Sequence, residues 1–374
     1  MVLNRAIKMR IYPNDEQRHK IDVTLGYCRY VYNKMLERNT VIYRRRKEHL
    51  NYYAMQNLLP EMKKYLPWLK EADSQALKYA CRQLNTAFDR FLHKQGGYPK
   101  FHTKRGKQSY TTTNTSVICV EAHRVKLPCI GWVRTPETRL PDGRICYATV
   151  SREADDRYYV SIAYKKEVSD ITPVVPKPEN VLGLDYKSDG LYMNSNGETA
   201  KMPRFYRDAQ HKRTKLQRQL SKKQGFRKGE RVSKNFLKQL RKVNRLSTHI
   251  ASQRKDYLHK RSAEIANQYD AVCVEDLNMK KMSDSGFGNG KATMDNGYGM
   301  FQNMLAYKLA ERGKQLIKVD KWFPSSQICH GCGHRQPMPL KIRVYHCPNC
   351  GMVFDRDWNA AINIKTEGLK LLSA

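Results

Sequence analysis

The chain has 374 residues, 40% of them hydrophobic, which is enough for two to three domains with real cores. Its 69 Lys and Arg against 35 Asp and Glu leave a formal net charge of +34. Such an excess repels itself unless a polyanion neutralises it, so nucleic acid is the expected partner. No run of about 18 apolar residues exists and residues 1–13 lack the apolar stretch of a signal peptide; neither a membrane-spanning nor an exported protein is expected.

Residues 5–12 alternate Ile7, Met9 and Ile11 with Lys8, Arg10 and Tyr12, the pattern of a half-exposed strand stopped by Pro13. Asn14 and Gln17 are spaced as a capping box. The helix behind them carries Ile21, Leu25, Cys28, Tyr32 and Met35 at helical intervals. Asp73 caps a further helix with Leu77, Cys81, Leu84, Phe88 and Phe91 on one stripe, so residues 14–95 read as a small helical bundle. Gly96-Gly97 breaks the pattern. Residues 98–175, rich in Val, Ile, Thr and Tyr with a turn at Pro141-Asp142-Gly143, predict short antiparallel strands in a small barrel that the N-terminal strand completes. Residues 172–178 are a Pro-rich linker.

Residues 181–186 then form an apolar strand, 188–190 a turn and 191–194 a second strand. About twenty Lys and Arg against three acids fill residues 201–261, yet Leu216, Leu220, Phe236, Leu240, Val243, Ile250 and Tyr257 recur inside the run. A purely solvated charge run would lack that stripe; two long basic helices in a hairpin over 203–267, broken near 225–229, fit it. Residues 271–275 predict a buried strand, the Gly, Ser, Asn and Asp-rich residues 283–298 a mobile loop, 300–312 a helix, 315–322 a strand, and a last helix starts near Trp358.

Three acids stand where the backbone would present them. Asp185 and Glu275 each end an apolar strand, and Asp357 lies just before the last helix. One such carboxylate is ordinarily a solvated strand end. Three brought together by strand pairing would supply the hard oxygen ligands that two Mg²⁺ ions require, and two metals suit in-line attack on a phosphate. Ten cysteines divide in two sets. Cys28, Cys81, Cys119, Cys129, Cys146 and Cys273 are scattered and read as small buried hydrophobes. Cys329, Cys332, Cys347 and Cys350 form two Cys-x-x-Cys knuckles, the spacing of a structural Zn²⁺ site, with a disulfide pair as the alternative. Gly333 and Gly351 follow the knuckles, and His330, His334 and His346 read as surface residues, since four thiolates fill the shell.

In order along the chain, Gly183-Leu-Asp185-Tyr, Val274-Glu275-Asp-Leu-Asn278, Phe323-Pro-Ser-Ser326, the two knuckles and Asp355-Arg-Asp357-Trp-Asn-Ala-Ala361 resemble the TnpB (OrfB-type) proteins of insertion sequences and their relatives, the compact type V CRISPR effectors. Arg10-Ile-Tyr-Pro13, residues 25–32 and Gly97-Tyr-Pro-Lys-Phe101 extend the resemblance over nearly the whole chain. The resemblance implies a multidomain α+β protein: an RNase H-like (RuvC) α/β nuclease domain over 177–374 with a zinc ribbon at 325–353, and a wedge β-barrel (1–13 and 96–176) interrupted by a helical recognition domain at 14–95. It implies an RNA-guided double-stranded DNA endonuclease with guide RNA and target DNA as partners, monomeric within a ribonucleoprotein, in a prokaryotic cytoplasm on the nucleoid. Asp185, Glu275 and Asp357 match the catalytic, Mg²⁺-binding acids, with Asp355 as fallback for the third. Tyr186-Lys187 after the first acid departs from the small residues of many relatives, and residues 283–298 lie where relatives carry a lid beside the active site; this loop is expected to order when guide and target pair. The implied reader of a short motif beside the target is assigned to Ser74, Gln75, Lys78, Tyr79, Thr112, Thr113 and Asn114, whose amide and hydroxyl groups suit base edges. A nuclease-inactive RNA-guided repressor and a guide-free RuvC-type resolvase are the alternatives.

Overall fold

The computed structural model describes residues 2–167, 171–223, 225, 232–283, 290–339 and 341–373. These form two compact units, Met1–Ser169 and Asp170–Ala374.

In the first unit, β1 (Val2–Ile11) precedes α1 (Asp15–Arg46), α2 (Tyr52–Asn57), α3 (Leu59–Tyr65) and α4 (Ser74–Leu92). The Asn14 side chain accepts from Gln17 N at 2.8 Å while the Gln17 side chain accepts from Asn14 N at 3.1 Å, so the capping box starts α1. Six strands follow: β2 (Gln108–Thr112), β3 (Cys119–Glu121), β4 (Arg124–Leu127), β5 (Gly131–Arg134), β6 (Arg144–Arg152) and β7 (Tyr158–Glu167). Strand β1 pairs along its length with β7 in a sheet of order β1-β7-β6-β2, and β3-β4-β5 form a second sheet. One core joins Ile7, Met9 and Ile11 to the buried stripes of α1 and α4.

The second unit begins with β8 (Val181–Tyr186) and β9 (Tyr192–Asn194), followed by α5 (Phe205–Ser221) and α6 (Lys234–Gln268). It continues through β10 (Ala271–Glu275), α7 (Met279–Met282), α8 (Gly290–Asn296), α9 (Tyr298–Ala310), β11 (Gln315–Val319), β12 (Val344–His346), β13 (Val353–Asp355) and α10 (Arg356–Ser373). Its sheet has order β11-β10-β8-β9, with β10 parallel to both β8 and β11 and with β9 antiparallel. Successive strand residues point to opposite faces. Leu182, Leu184, Val272 and Val274 therefore pack on α6 and α9, whereas Val181, Ala271, Cys273 and Val319 pack with Ile364 of α10. Both faces are covered, as parallel strands require.

Several expectations are corrected. Residues 284–289 of the expected mobile loop lie outside the described residues, but 290–296 are helical. Their polar side chains are not loop polarity: Asp295 accepts from Arg254 Nη2 at 3.0 Å, and Asn296 Nδ2 donates to the carbonyls of Lys187 (3.2 Å) and Ser188 (2.9 Å). Strand β11 stops at Val319, three residues short of the expected end. Helix α10 starts at Arg356, so Asp357 lies in its first turn, not before it. Among the scattered cysteines, Cys119 and Cys129 are exposed, contrary to the core reading.

Gly183 lies where β8 meets α10. A Cβ there would stand 2.8 Å from the Lys365 backbone nitrogen and collide with the Ala361 carbonyl. Gly183→Ala is expected to destabilise the second unit by about 1–3 kcal/mol, the usual size of an overpacking strain. A lowered midpoint in thermal unfolding followed by circular dichroism checks this; an unchanged midpoint would mean that α10 yields freely.

Candidate metal centres

Asp185 and Glu275 stand side by side because their strands are parallel neighbours: each lies one residue beyond the Leu184–Val274 pair. Both are half-buried at the C-terminal edge of the sheet. Helix α10 packs against β8 and brings Asp357, 6% exposed, to the same edge. Burial first, then the Glu275 and Asp357 charges, hold the Asp185 carboxyl well above the usual carboxylate range, against the opposing pull of Arg356 and Lys187. Burial likewise raises Glu275, opposed by the Ser325 hydroxyl, which donates to Oε1 at 2.6 Å. Asp357 Oδ1 accepts from Arg356 Nε (3.1 Å) and Nη2 (2.8 Å), and its Oδ2 pairs with Lys187 Nζ (3.6 Å) and Arg343 Nη1 (3.7 Å).

Asp355 does something else. Its Oδ1 accepts from Asp357 N (2.9 Å) and Trp358 N (3.0 Å), which makes it the N-cap of α10. The two acids of the Asp-Arg-Asp motif thus divide the work. One starts the helix and the other points to the sheet edge.

The donor chemistry of this edge fits a hard divalent cation: three carboxylates, with Asp185 raised by burial and then by the charges of the other two. The carboxylate oxygens are set wider than the cysteine sulfurs. Among the described residues, the four cysteines are the one group of metal-ligating side chains whose donor atoms all lie within 4.8 Å of one another.

That group closes around Cys329, Cys332, Cys347 and Cys350, with Sγ–Sγ distances of 3.6 Å (329–350) and 3.5 Å (332–347). These distances suit a shared metal and are far beyond a disulfide bond of about 2.05 Å. Each knuckle turns through a glycine at positive φ, Gly333 at 76° and Gly351 at 72°, whose amides donate to the Cys329 and Cys347 carbonyls. Hydrogen bonds from the Asn349 side chain and the His334 amide draw the Cys332 thiol down to about 6. Cys350, despite an amide bond from Met352, is pushed up to about 12 by burial and by the neighbouring thiols. Four sulfurs this close cannot all ionise without a cation, and Zn²⁺ fits the set.

His330 is corrected from a surface residue to a structural one. Its backbone N donates to Asn359 Oδ1 at 3.0 Å, and its ring packs on Phe354 at 4.2 Å. Asn359 Nδ2 donates to Ile328 O (2.7 Å), and Asn363 Nδ2 to Ser325 O (2.8 Å) and Ile328 O (2.7 Å). The cysteine ribbon is thereby tied to the helix that carries Asp357.

Sequence reasoning passed over Lys187, Arg343, Arg356, Ser325 and Tyr298. Two of them, Ser325 and Arg356, sit inside the quoted motifs, where attention fell on the acids and the cysteines. Tyr298 is 1% exposed, and its hydroxyl is pushed up by burial and then by Asp185 and Glu275. Nothing in its spacing distinguishes it from a core aromatic.

In the first unit, Asp73 joins the two stretches assigned to motif reading. Its carboxylate accepts from Gln75 N (3.3 Å), from the Thr112 hydroxyl and from Asn114 Nδ2 (3.4 Å). Thr112 is buried, Ser74 is exposed and accepts from Lys63 Nζ at 2.7 Å, and Gln75, Lys78, Tyr79, Thr113 and Asn114 are half-exposed.

The fold is that of the compact type V effectors: it aligns with Cas12f1, from a cryo-EM structure of the Cas12f1–sgRNA–target DNA complex, at a TM-score of 0.62 and 14% identity over 97% of this chain and 99% of that one. Residues 298–364 match the family described as "Cas12f1-like, TNB domain", 161–286 "Probable transposase" and 1–48 "Helix-turn-helix domain". A protein of Streptomyces pristinaespiralis named as a candidate RNA-guided DNA endonuclease is 34% identical over 98% of this chain and 90% of its own length. One of Escherichia coli (strain K12), similarly named, is 30% identical over 99% and 93%. The chain belongs to the TnpB (OrfB-type) family of insertion-sequence proteins.

Two outcomes check the centres. Because the folded pKa of Asp185 lies above its unfolded value, its ionisation costs stability increasingly as pH rises from the ordinary Asp range through the raised value. At neutral pH in EDTA, Asp185→Asn is expected to raise the thermal midpoint by about 2–4 °C per kcal/mol of relieved burial and repulsion cost. Added Mg²⁺ should raise the wild-type midpoint more than the variant's. Cys347→Ser should lower bound zinc from about one per chain to near none, read with a colorimetric chelator after denaturation.

Proposed function

We propose that the chain is an RNA-guided double-stranded DNA endonuclease of RuvC type that cuts phosphodiester bonds next to a short target-adjacent motif. The observation that carries this reading is the convergence of Asp185, Glu275 and Asp357 at one sheet edge. Asp185, Glu275 and Asp357 are the residues that would hold two Mg²⁺ ions, which when bound activate a water and stabilise the leaving oxygen.

The surrounding side chains position these acids. The Ser325 hydroxyl fixes one Glu275 oxygen and leaves the other for a ligand. Arg356 holds Oδ1 of Asp357, and Lys187 and Arg343 face Oδ2, where a phosphate arriving at the edge would meet their positive charge. The parallel pairing of β8 and β10 sets the spacing of the first two carboxylates without help from a flexible loop.

The names of the relatives and the net charge of +34 support a guide RNA and a DNA target as partners, with sequence read by base pairing. In this reading residues 14–95 form the recognition domain, 1–13 and 96–176 the wedge, and 177–374 the nuclease domain with its ribbon at 325–353. Ser74, Gln75, Lys78, Tyr79, Thr113 and Asn114 offer polar groups for the motif, and Thr112 contributes by holding Asp73. The protein acts as a monomer in a cytoplasmic ribonucleoprotein.

Asp185→Ala, Glu275→Gln and Asp357→Asn should each reduce cutting of a guide-matched plasmid to background while leaving RNA binding intact. Asp355→Ser, which can still cap α10, should retain cutting. Undiminished cleavage by Asp185→Ala or Glu275→Gln would overturn the site, and retention by Asp357→Asn with loss in Asp355→Ser would exchange the two aspartates. Sequencing the RNA that copurifies with the protein should return one defined species; its absence would favour a guide-free nuclease.

A further inference from the structure

Trp322 is 79% exposed, the most exposed aromatic side chain among the described residues of the second unit. Large aromatics are seldom left this open without a partner. Its position is well defined. Val319 is the register partner of Glu275, and the Asp276 amide donates to the Val319 carbonyl at 3.0 Å, so Trp322 leaves the sheet three residues beyond the neighbour of a proposed catalytic acid.

The segment is pinned on both sides. Trp322 N donates to Asp320 Oδ1 at 2.7 Å and Phe323 N to Asp320 O at 3.0 Å. Phe323 turns inward against the core under the sheet, and Ser325 bonds Glu275. With both flanks anchored, the indole is held out from the same edge that carries the carboxylates. The Lys321 ammonium stands 5.1 Å from its ring centroid.

We propose that Trp322 is a stacking platform for an unpaired base of the DNA strand being cut, positioning the adjoining phosphate toward Asp185, Glu275 and Asp357. Every base offers a π-face, so the contact tolerates any sequence, and Lys321 adds a cation beside the backbone. A base paired within a duplex has its faces covered by its neighbours. The platform therefore selects strand that has already been opened. Trp322 is a positioning residue, not a catalytic one, and its assignment rests on the endonuclease reading given above.

The test uses the full chain with its copurified guide RNA. In EDTA, where cutting is stopped, oligo(dT) should quench tryptophan fluorescence more in the wild type than in Trp322→Phe, which keeps a ring but loses this indole's signal. In Mg²⁺, Trp322→Ala should cut a guide-matched single-stranded DNA about tenfold more slowly, the size of one base–aromatic stack, and Trp322→Tyr should restore most of the rate. Equal quenching in the wild type and Trp322→Phe, quenching by oligo(U) but not oligo(dT), or a full rate in Trp322→Ala overturns the platform. Asp185→Ala run alongside separates the two readings: if it cuts at the wild-type rate the nuclease site fails, whereas the quenching result still decides Trp322.

Discussion

Parallel pairing of β8 with β10 forces two carboxylates to end side by side on a sheet whose faces are both covered. A carboxylate taken out of water costs several kcal/mol unless it is paired or coordinated, and a neighbour of like charge adds to that cost. The backbone leaves no escape, because shifting β8 by one residue would turn a side chain, instead of Gly183, into the close approach of α10. The repulsion is thus built into the register of the core. Burial and then this repulsion hold Asp185 up, and in the proposed function a divalent cation would relieve the cost without disturbing the sheet.

The third acid arrives by a different route, and its placement depends on close packing. Gly183 lets α10 approach β8, and Asp355 starts that helix where Asp357 falls in its first turn. Asn359 and Asn363 then fasten the helix to the segment leading into the cysteine ribbon, and Arg356 ties it to the Ile342 carbonyl at 3.1 Å. The ribbon is too small for a core of its own beyond Cys329, Tyr345 and Cys347. Zinc-closed knuckles supply what that core cannot, and through the asparagines their rigidity reaches the helix of Asp357.

Much of this was legible because period and chemistry coincide. The apolar runs ahead of Asp185 and Glu275, the capping box at Asn14 and the cysteine spacing are local signals that tertiary contacts do not overturn. What escaped was long-range. The residues around Asp295 and Asn296 looked like a loop because polar side chains that satisfy buried carbonyls are indistinguishable, in sequence, from solvated ones. His330 looked superficial because its partner Asn359 lies 29 residues away. The choice of Asp357 over Asp355 came from the family resemblance alone; the cap explains physically why both acids are present.

The cations around Asp357 bear on how such a site assembles. Lys187, Arg343 and Arg356 already compensate this carboxylate, so in the proposed site a metal would compete with them for its oxygens. Arg356 is adjacent in sequence and grips only Oδ1, whereas Lys187 and Arg343 sit at 3.6 and 3.7 Å from Oδ2, too long for good hydrogen bonds. A phosphate reaching the edge offers these two a stronger acceptor than the oxygen they leave. If Asp357 holds a metal as proposed, drawing them away would uncover Oδ2 when the substrate is present, and a metal there would in turn favour the displaced cations on the phosphate. In that reading metal and substrate affinities would be coupled with the same sign, a consequence of three positive side chains sharing one acid.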